Sequence, residues 1–217
     1  MIKLSNRLQA LFEWCDGEVI ADIGCDHGYI SLKLAQEKGK KVYACDVAQG
    51  PLQRARTLFE KEEADICCLL MNGIVNLPDD VDQILIAGMG GQLMISILED
   101  GKEKASHLQS MILSPHKDAP DLRKYLIDHH FRIVKERTIK EGNHFYPILY
   151  VMHGKQERSV LKDYYGYHMI EDEEYKQFVD HEYKKWKALE LSVPASQFKE
   201  GEKRLKLLEQ IRTKRSC

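Results

Sequence analysis

One stretch, Val19-Ile20-Ala21-Asp22-Ile23-Gly24-Cys25-Asp26-His27-Gly28-Tyr29, constrains the chain more than any other. Val19–Ile23 reads as a buried strand, Gly24 and Gly28 bracket a tight turn, and a helix runs from Tyr29 to Lys38, where Gly39 stops it. A second strand, Lys41–Cys45, follows and ends on Asp46. Strand, glycine turn, helix, strand, acid is the opening of a doubly wound parallel sheet. In such sheets the first turn and the second acid grip an adenosine-containing ligand.

The glycine spacing narrows that ligand. A dinucleotide-binding turn is G-x-G-x-x-G, and its second glycine lets backbone approach a pyrophosphate. Here Cys25 and Asp26 follow Gly24, so the second glycine is missing and acid-x-Gly-x-x-x-Gly remains. This resembles the first motif of S-adenosylmethionine-dependent methyltransferases of the Rossmann-like class. Asp22, Gly24, Cys25 and Gly28 are therefore cofactor candidates, and Asp46, with Val47 beside it, is placed to accept bonds from two ribose hydroxyls. A nicotinamide-dependent oxidoreductase is the alternative enzyme, weakened by the missing glycine. A non-catalytic cofactor-binding adaptor is the alternative of another class.

The rest of the pattern extends the sheet. Ser5 caps a helix to about Trp14, and Gly50-Pro51 opens another to about Glu63. Ile66–Met71, Gln83–Ala87 and Ser110–Leu113 read as strands, with helices at Gln92–Leu98 and Asp118–Asp128. Phe131–Thr138 and Tyr146–Met152, joined through Lys140-Glu141-Gly142-Asn143, read as an antiparallel final pair. The expected fold class is α/β: a mostly parallel seven-stranded sheet with an antiparallel final hairpin, carried by residues 1–158.

Residues 159–217 differ. Asp172–Leu191 and Ala195–Thr213 read as long charged helices broken at Ser192-Val193-Pro194. Val179 and Trp186, then Phe198, Leu205, Leu208 and Ile211, give a narrow apolar seam, which suits a coiled-coil hairpin.

Composition bounds the function classes. No apolar run approaches the roughly 20 residues of a membrane span. The start, Met1 to Arg7, lacks the apolar core of a signal peptide, so a cytoplasmic location is expected. The six cysteines show no paired C-x-x-C spacing and read as reduced, packed thiols rather than a metal site. The histidines outside the first loop and the stretch after the fifth strand are scattered and read as solvated. A net charge of −2 argues against nucleic-acid binding by bulk electrostatics and leaves only local basic patches.

The remaining candidates sit after the other strands. Asn72-Gly73, after the third strand, is placed for an adenine edge. Ala87-Gly88-Met89-Gly90-Gly91, after the fourth, offers glycines that let backbone come close to a ligand and leave room for a flat base, with Ala87 and Gly88 as further cofactor candidates. Asp26-His27 lies inside the first loop, on the side that would face a transferred methyl group.

Taken together, Leu4-Ser5-Asn6-Arg7-Leu8, Ala21-Asp22-Ile23-Gly24-Cys25-Asp26-His27, Ile86-Ala87-Gly88-Met89-Gly90-Gly91, Ile112-Leu113-Ser114-Pro115-His116 and Phe145-Tyr146-x-Ile148-Leu149 resemble the bacterial TrmK family over about residues 1–155. The terminal hairpin fits that family by type only. This chain has Gly28 where the family usually has alanine, Asp46 where it usually has glutamate, and Ser114-Pro115-His116 where it usually has Gln-Pro-Asn.

The resemblance implies transfer of a methyl group from S-adenosylmethionine to N1 of adenine 22 in tRNA, without a metal. S-Adenosylhomocysteine is the implied product. tRNA is then the partner; a monomer is expected, with no membrane and no obligate protein partner. Adenine N1 carries a free lone pair and needs no general base. On this reading Asp26, His27 and Met89 are the catalytic candidates, with Asp26 beside the base that becomes cationic. The tRNA candidates are Arg7, Gly90, Gly91 and His116, with Lys3 near the pocket mouth, and Arg204, Lys206, Arg212, Lys214 and Arg215 on the last helix.

Overall fold

The computed structural model describes residues 2–215, without the side chains of Ala195 and Arg215. It divides into two compact units, Met1–Met169 and Ile170–Cys217.

The first unit begins with α1 (Asn6–Trp14), β1 (Val19–Ile23), α2 (Tyr29–Lys38), β2 (Lys41–Asp46), α3 (Gln49–Lys61) and β3 (Cys67–Leu70). It continues with β4 (Gln83–Ala87), α4 (Gly91–Asp100), α5 (Lys102–His107), β5 (Ser110–Ser114), α6 (Ala119–Asp128), β6 (Phe131–Glu141), β7 (His144–His153) and α7 (Val160–Tyr165). The seven strands pair in the order β3-β2-β1-β4-β5-β7-β6, all parallel except for β7 against both of its neighbours. The seven-stranded mixed sheet is thus as expected.

Residue alternation builds three layers. Ala21, Ile23, Ile84, Ile86, Met111 and Leu113 face a core shared with α4, α5 and α6. Ile20, Val42, Leu85 and Ile112 face the opposite core, with Leu11 and Phe12 of α1 and Ile30 and Leu34 of α2. By the same alternation Asp22 and Asp46 lie on the α1–α3 side. Ser5 caps α1 by accepting the Leu8 N–H. The Lys38 ammonium closes its other end by donating to the carbonyls of Phe12 and Cys15 at 2.7 and 2.6 Å.

The structure corrects several expectations. β3 is shorter than Ile66–Met71, and Cys67 is exposed rather than packed, because β3 is the sheet edge. The hairpin is longer than read: β6 and β7 pair to Glu141 and His144, so only Gly142-Asn143 forms the turn, with Gly142 at φ +60°. A bulge between Ile133 and Lys135 inserts an extra residue. It switches the buried positions from Phe131 and Ile133 to Glu136 and Thr138.

The domain boundary also moves, from residue 158 to Met169. Its cause is a buried polar network. Arg123 of α6 donates to Glu136 at 2.8 Å and to the carbonyls of Asp163 and Tyr164 at 3.0 and 3.3 Å. Tyr167 donates its N–H to the other Glu136 oxygen and its hydroxyl to Asp163 at 2.7 Å. These bonds fasten α7 and its flanks to the first unit.

The second unit is a helical pair, α8 (Glu173–Glu190) and α9 (Lys199–Arg215), with a 3-10 turn at Ala195–Gln197 between them. Asp172 caps α8 through the Tyr175 N–H at 3.0 Å. Val179, Phe198, Leu205, Leu208 and Ile211 are buried as the seam requires, and Trp186 is half-buried.

Candidate active site

Strand order reverses between β1 and β4, and in open α/β sheets ligands bind in the crevice past the carboxyl ends of the strands at that point. The loops after β1, β2, β4 and β5 meet there. Gly24 and Cys25 both donate their N–H groups to the Cys45 carbonyl, at 2.8 and 3.0 Å, which ties the first loop to the end of β2. Gly28 closes the loop by donating to Cys25 at 2.8 Å.

Gly28 is needed twice over. Its φ is +71°, and a Cβ there would lie 2.5 Å from the Phe59 ring of α3. Its role is therefore to let α3 pack on the loop. At Gly24, φ is +76° and a Cβ would stand 3.0 Å from Met89 Cε. Met89 thus lies over the glycine turn, and the β1 and β4 loops form facing walls.

Two buried carboxylates floor the crevice. Asp22 accepts a 2.6 Å bond from Ser31, at the start of α2. Asp46 accepts the Ala48 N–H at 2.9 Å and the Asp26 N–H at 3.4 Å. Burial pushes the Asp22 carboxyl up to about 6; the Ser31 bond opposes this and the charge of Asp46 adds to it. Burial likewise pushes the thiols of Cys25 and Cys45 up, so neither is a thiolate nucleophile at neutral pH. Val47 is exposed just past Asp46, as are Leu70 at the end of β3 and Asn72 beyond it; Gly73 turns at φ +61°.

Asp26 occupies the left-handed region at φ 47°, uncommon for a residue with a side chain. Its carboxylate turns to the rim, pairing with Arg54 of α3 at 3.1 Å and approaching His27 at 3.6 Å. His27 stacks on Tyr29 at 5.5 Å. Arg54 and Ser31 carried no local signal, since each acts only through a partner more than eight residues away.

The expectation that Gly90 and Gly91 leave room for a base is corrected. Gly91 donates to the Lys117 carbonyl at 2.9 Å, and a Cβ on it would sit 2.5 Å from the Asp118 carbonyl oxygen. At Gly90 a Cβ would meet the Lys117 side chain at 3.0 Å. The chain itself fills both spaces. Of the three glycines in this loop, Gly88 alone, at φ +80° with nothing within 4 Å of its Cβ position, faces open space.

The same stitching brings His116 to the crevice, because its N–H donates to the Met89 carbonyl at 2.9 Å. The His116 ring meets Arg7 at 2.7 Å and the edge of Tyr146 at 5.2 Å. Arg7 also covers the Tyr146 ring at 4.7 Å and lies 3.8 Å from Glu141. Tyr146 and Glu141 were missed as site residues because the hairpin extension carries them there. Lys3 is exposed.

Two of the basic candidates on α9 are engaged within their own unit. Arg204 bonds Glu200 at 2.8 Å and lies over Trp186, and Arg212 lies 3.4 Å from Asp180 and 4.1 Å over the Tyr183 ring. Lys206 and Lys214 are exposed, and the Arg215 side chain lies outside the described residues. Among the described residues no group of three or more His, Cys, Asp or Glu side chains is placed to hold a metal ion. A cavity of about 470 Å³ beside α3, lined by Phe59, Glu63 and Ile66, opens near the start of β3 and so away from the crevice.

Known proteins are similar to this chain in sequence and fold. A methyltransferase-domain family model matches residues 4–149. The tRNA (adenine(22)-N(1))-methyltransferase of Bacillus subtilis is 32% identical over 163 residues, covering 73% of this chain and 68% of that protein. A candidate tRNA (m1A22) methyltransferase of Streptococcus pneumoniae superposes with a TM-score of 0.88 at 29% identity, over 96% of this chain and 99% of that one. Its structure in complex with S-adenosyl-L-methionine gives 0.86 at 30% identity, with the same coverage. With a crevice walled by a glycine turn and floored by two acids, a methyltransferase-domain match over residues 4–149 and 32% identity to the Bacillus subtilis enzyme, the chain belongs to the TrmK family of methyltransferases.

Proposed function

We propose that this protein transfers a methyl group from S-adenosylmethionine to N1 of adenine 22 in tRNA. The observation that carries the reading is the pair of buried acids, Asp22 and Asp46, beneath a glycine turn that Met89 faces at Gly24. The residues fit that donor. Asp46 can hold a ribose, the exposed Val47 and Leu70 offer apolar surface to an adenine, and Asp22 supplies negative charge toward an ammonium. When bound, the donor supplies an electrophilic sulfonium methyl: the N1 lone pair forms the new N–C bond as the C–S bond breaks and its electron pair returns to sulfur.

The chain's own work is alignment. No proton has to leave N1, so no general base is required. Positive charge moves a few ångströms rather than being created, and the acidic floor serves both ends of that transfer. N1 lies on the pairing edge, so the base has to leave its stack to reach the crevice. The test is mass spectrometry of nucleosides from bacterial tRNA incubated with protein and donor: 1-methyladenosine is the expected product, and another methylated base or none rejects the reading.

Asp26 is assigned to the rim of the acceptor side. Asp26→Asn is expected to lower turnover by about tenfold while donor affinity stays within about twofold. Calorimetric affinity falling in step with turnover moves Asp26 to the donor site instead. Arg54, which shares the Asp26 charge, keeps the expected loss modest.

Lys206 and Lys214 are assigned to tRNA phosphates. Reversing both to glutamate in the full chain is expected to weaken tRNA binding and flatten its salt dependence by about one unit of slope or more. An unchanged slope removes the hairpin from the interface. A protein with this substrate works in the cytoplasm.

A further inference from the structure

The constellation of Arg7, His116 and Tyr146 is more built than a phosphate contact needs. A guanidinium only donates hydrogen bonds. At 2.7 Å from Arg7, the Nε2 of His116 is therefore the acceptor. The imidazole is then neutral, with its proton on Nδ1. Arg7 cannot swing away freely: Tyr146 lies under its guanidinium at 4.7 Å and Glu141 stands 3.8 Å from its Nε. The result is one N–H donor, fixed in direction, on an exposed ring whose backbone is a single hydrogen bond from Met89.

A second, independent observation marks the same place. Two buried side-chain polar atoms of this cluster, Arg7 Nε and Glu141 Oε1, have no hydrogen-bond partner. A third, Ser114 Oγ at the end of β5, is two residues before His116. Such atoms are costly when left unpaired, and each calls for a partner that a polar ligand group can supply.

Resting on the function proposed above, we propose that Arg7, buttressed by Tyr146, locks His116 as the Nδ1–H tautomer, and that this N–H donates to a second ring nitrogen of the extruded adenine, N3 or N7, while N1 reacts. His116 touches substrate; Arg7 and Tyr146 are positioning residues. Burial and the Arg7 charge both hold the His116 ring below its ordinary pKa, and the Glu141 carboxylate opposes them. The other groups facing the cluster are His144, 6.2 Å from the Tyr146 ring, and Lys117 next in sequence. Protonation of His116 breaks the Arg7 bond and sets a cation beside a base that is becoming cationic, so the neutral ring is the active one.

The test joins ring-nitrogen NMR to kinetics. In the wild-type protein, ¹⁵N spectra are expected to show His116 with Nε2 unprotonated, and Arg7→Gln to return it to mixed tautomers. His116→Ala is expected to lower kcat/KM for tRNA by about tenfold or more, with donor affinity within about twofold as the check on folding. In tRNA carrying 3-deaza- or 7-deazaadenosine at the target, one of the two is expected to cost wild type a similar factor and His116→Ala nothing further. Arg7→Gln is expected to move the acid limb of kcat/KM upward in pH. A protonated Nε2 in wild type, or wild-type kcat/KM in His116→Ala, overturns the proposal and leaves the methyltransferase reading standing. A wild-type protein that binds donor and methylates no tRNA overturns both.

Discussion

Asparagine at position 22 is expected to raise the melting temperature of the cofactor-free protein at pH 8 while weakening donor binding. The Asp22 carboxyl is buried and titrates at about 6, against 3.8 for the free side chain. Between those values the native state holds a proton that the unfolded chain releases, so stability falls as pH rises through the interval. Above pH 6 the full cost of the buried charge is present, about 3 kcal/mol for a displacement of that size. Asparagine removes the charge and keeps an oxygen for the 2.6 Å bond from Ser31.

Thermal melts are therefore expected to differ by several degrees at pH 8 and to converge near pH 4. Titration calorimetry is expected to show the opposite sign for function, with donor affinity falling by about tenfold or more once the anion facing the ammonium is gone. An Asp22→Asn protein that melts lower at pH 8 shows that the carboxylate is held for structure, and the trade between stability and ligand charge is then wrong.

That trade explains why the opening stretch was so legible. Val19–Ile23 is buried on both faces, so its composition leaves little but a central strand, and an acid at its end has to serve something other than packing. Gly24, Gly28 and Gly39 all take positive φ. Turn chemistry is local, and α2 accordingly spans Tyr29–Lys38 as read. What failed was set by distance or by length. α5 and α7 have six residues each, too few for a helical period to accumulate. A missing Cβ at Gly91 looks the same in sequence whether a ligand or the Asp118 carbonyl takes the space. Arg204 and Arg212 read as free cations until the aromatic rings beneath them are known. Tyr146 and Glu141 reach Arg7 only through a strand pairing that neither residue specifies alone.

Exchange of Arg123 is the other large effect. Its guanidinium and the Glu136 carboxylate are almost completely buried, and burial pushes the Glu136 carboxyl up while Arg123 holds it down. Arg123→Met leaves that acid without its partner in the core, and a loss of about 3–5 kcal/mol is expected. The pH dependence has a fixed sign. A Glu136 freed from Arg123 binds a proton in the native state more readily than in the unfolded chain, so the deficit narrows as pH falls and is full at pH 8. Arg123→Met with Glu136→Gln is expected to recover much of the loss, since glutamine keeps an acceptor for the Tyr167 N–H and carries no charge. A double variant no better than the single one assigns the cost to the carbonyls of Asp163 and Tyr164, which lose the same donor. Hydrogen exchange separates these cases, because loss of the carbonyl contacts opens residues 159–169 ahead of the sheet. The network also decides where the chain can be divided: a cut at residue 158 removes Asp163 and Tyr167 from Arg123 and Glu136, so its effect on tRNA methylation would mix a damaged core with a missing hairpin.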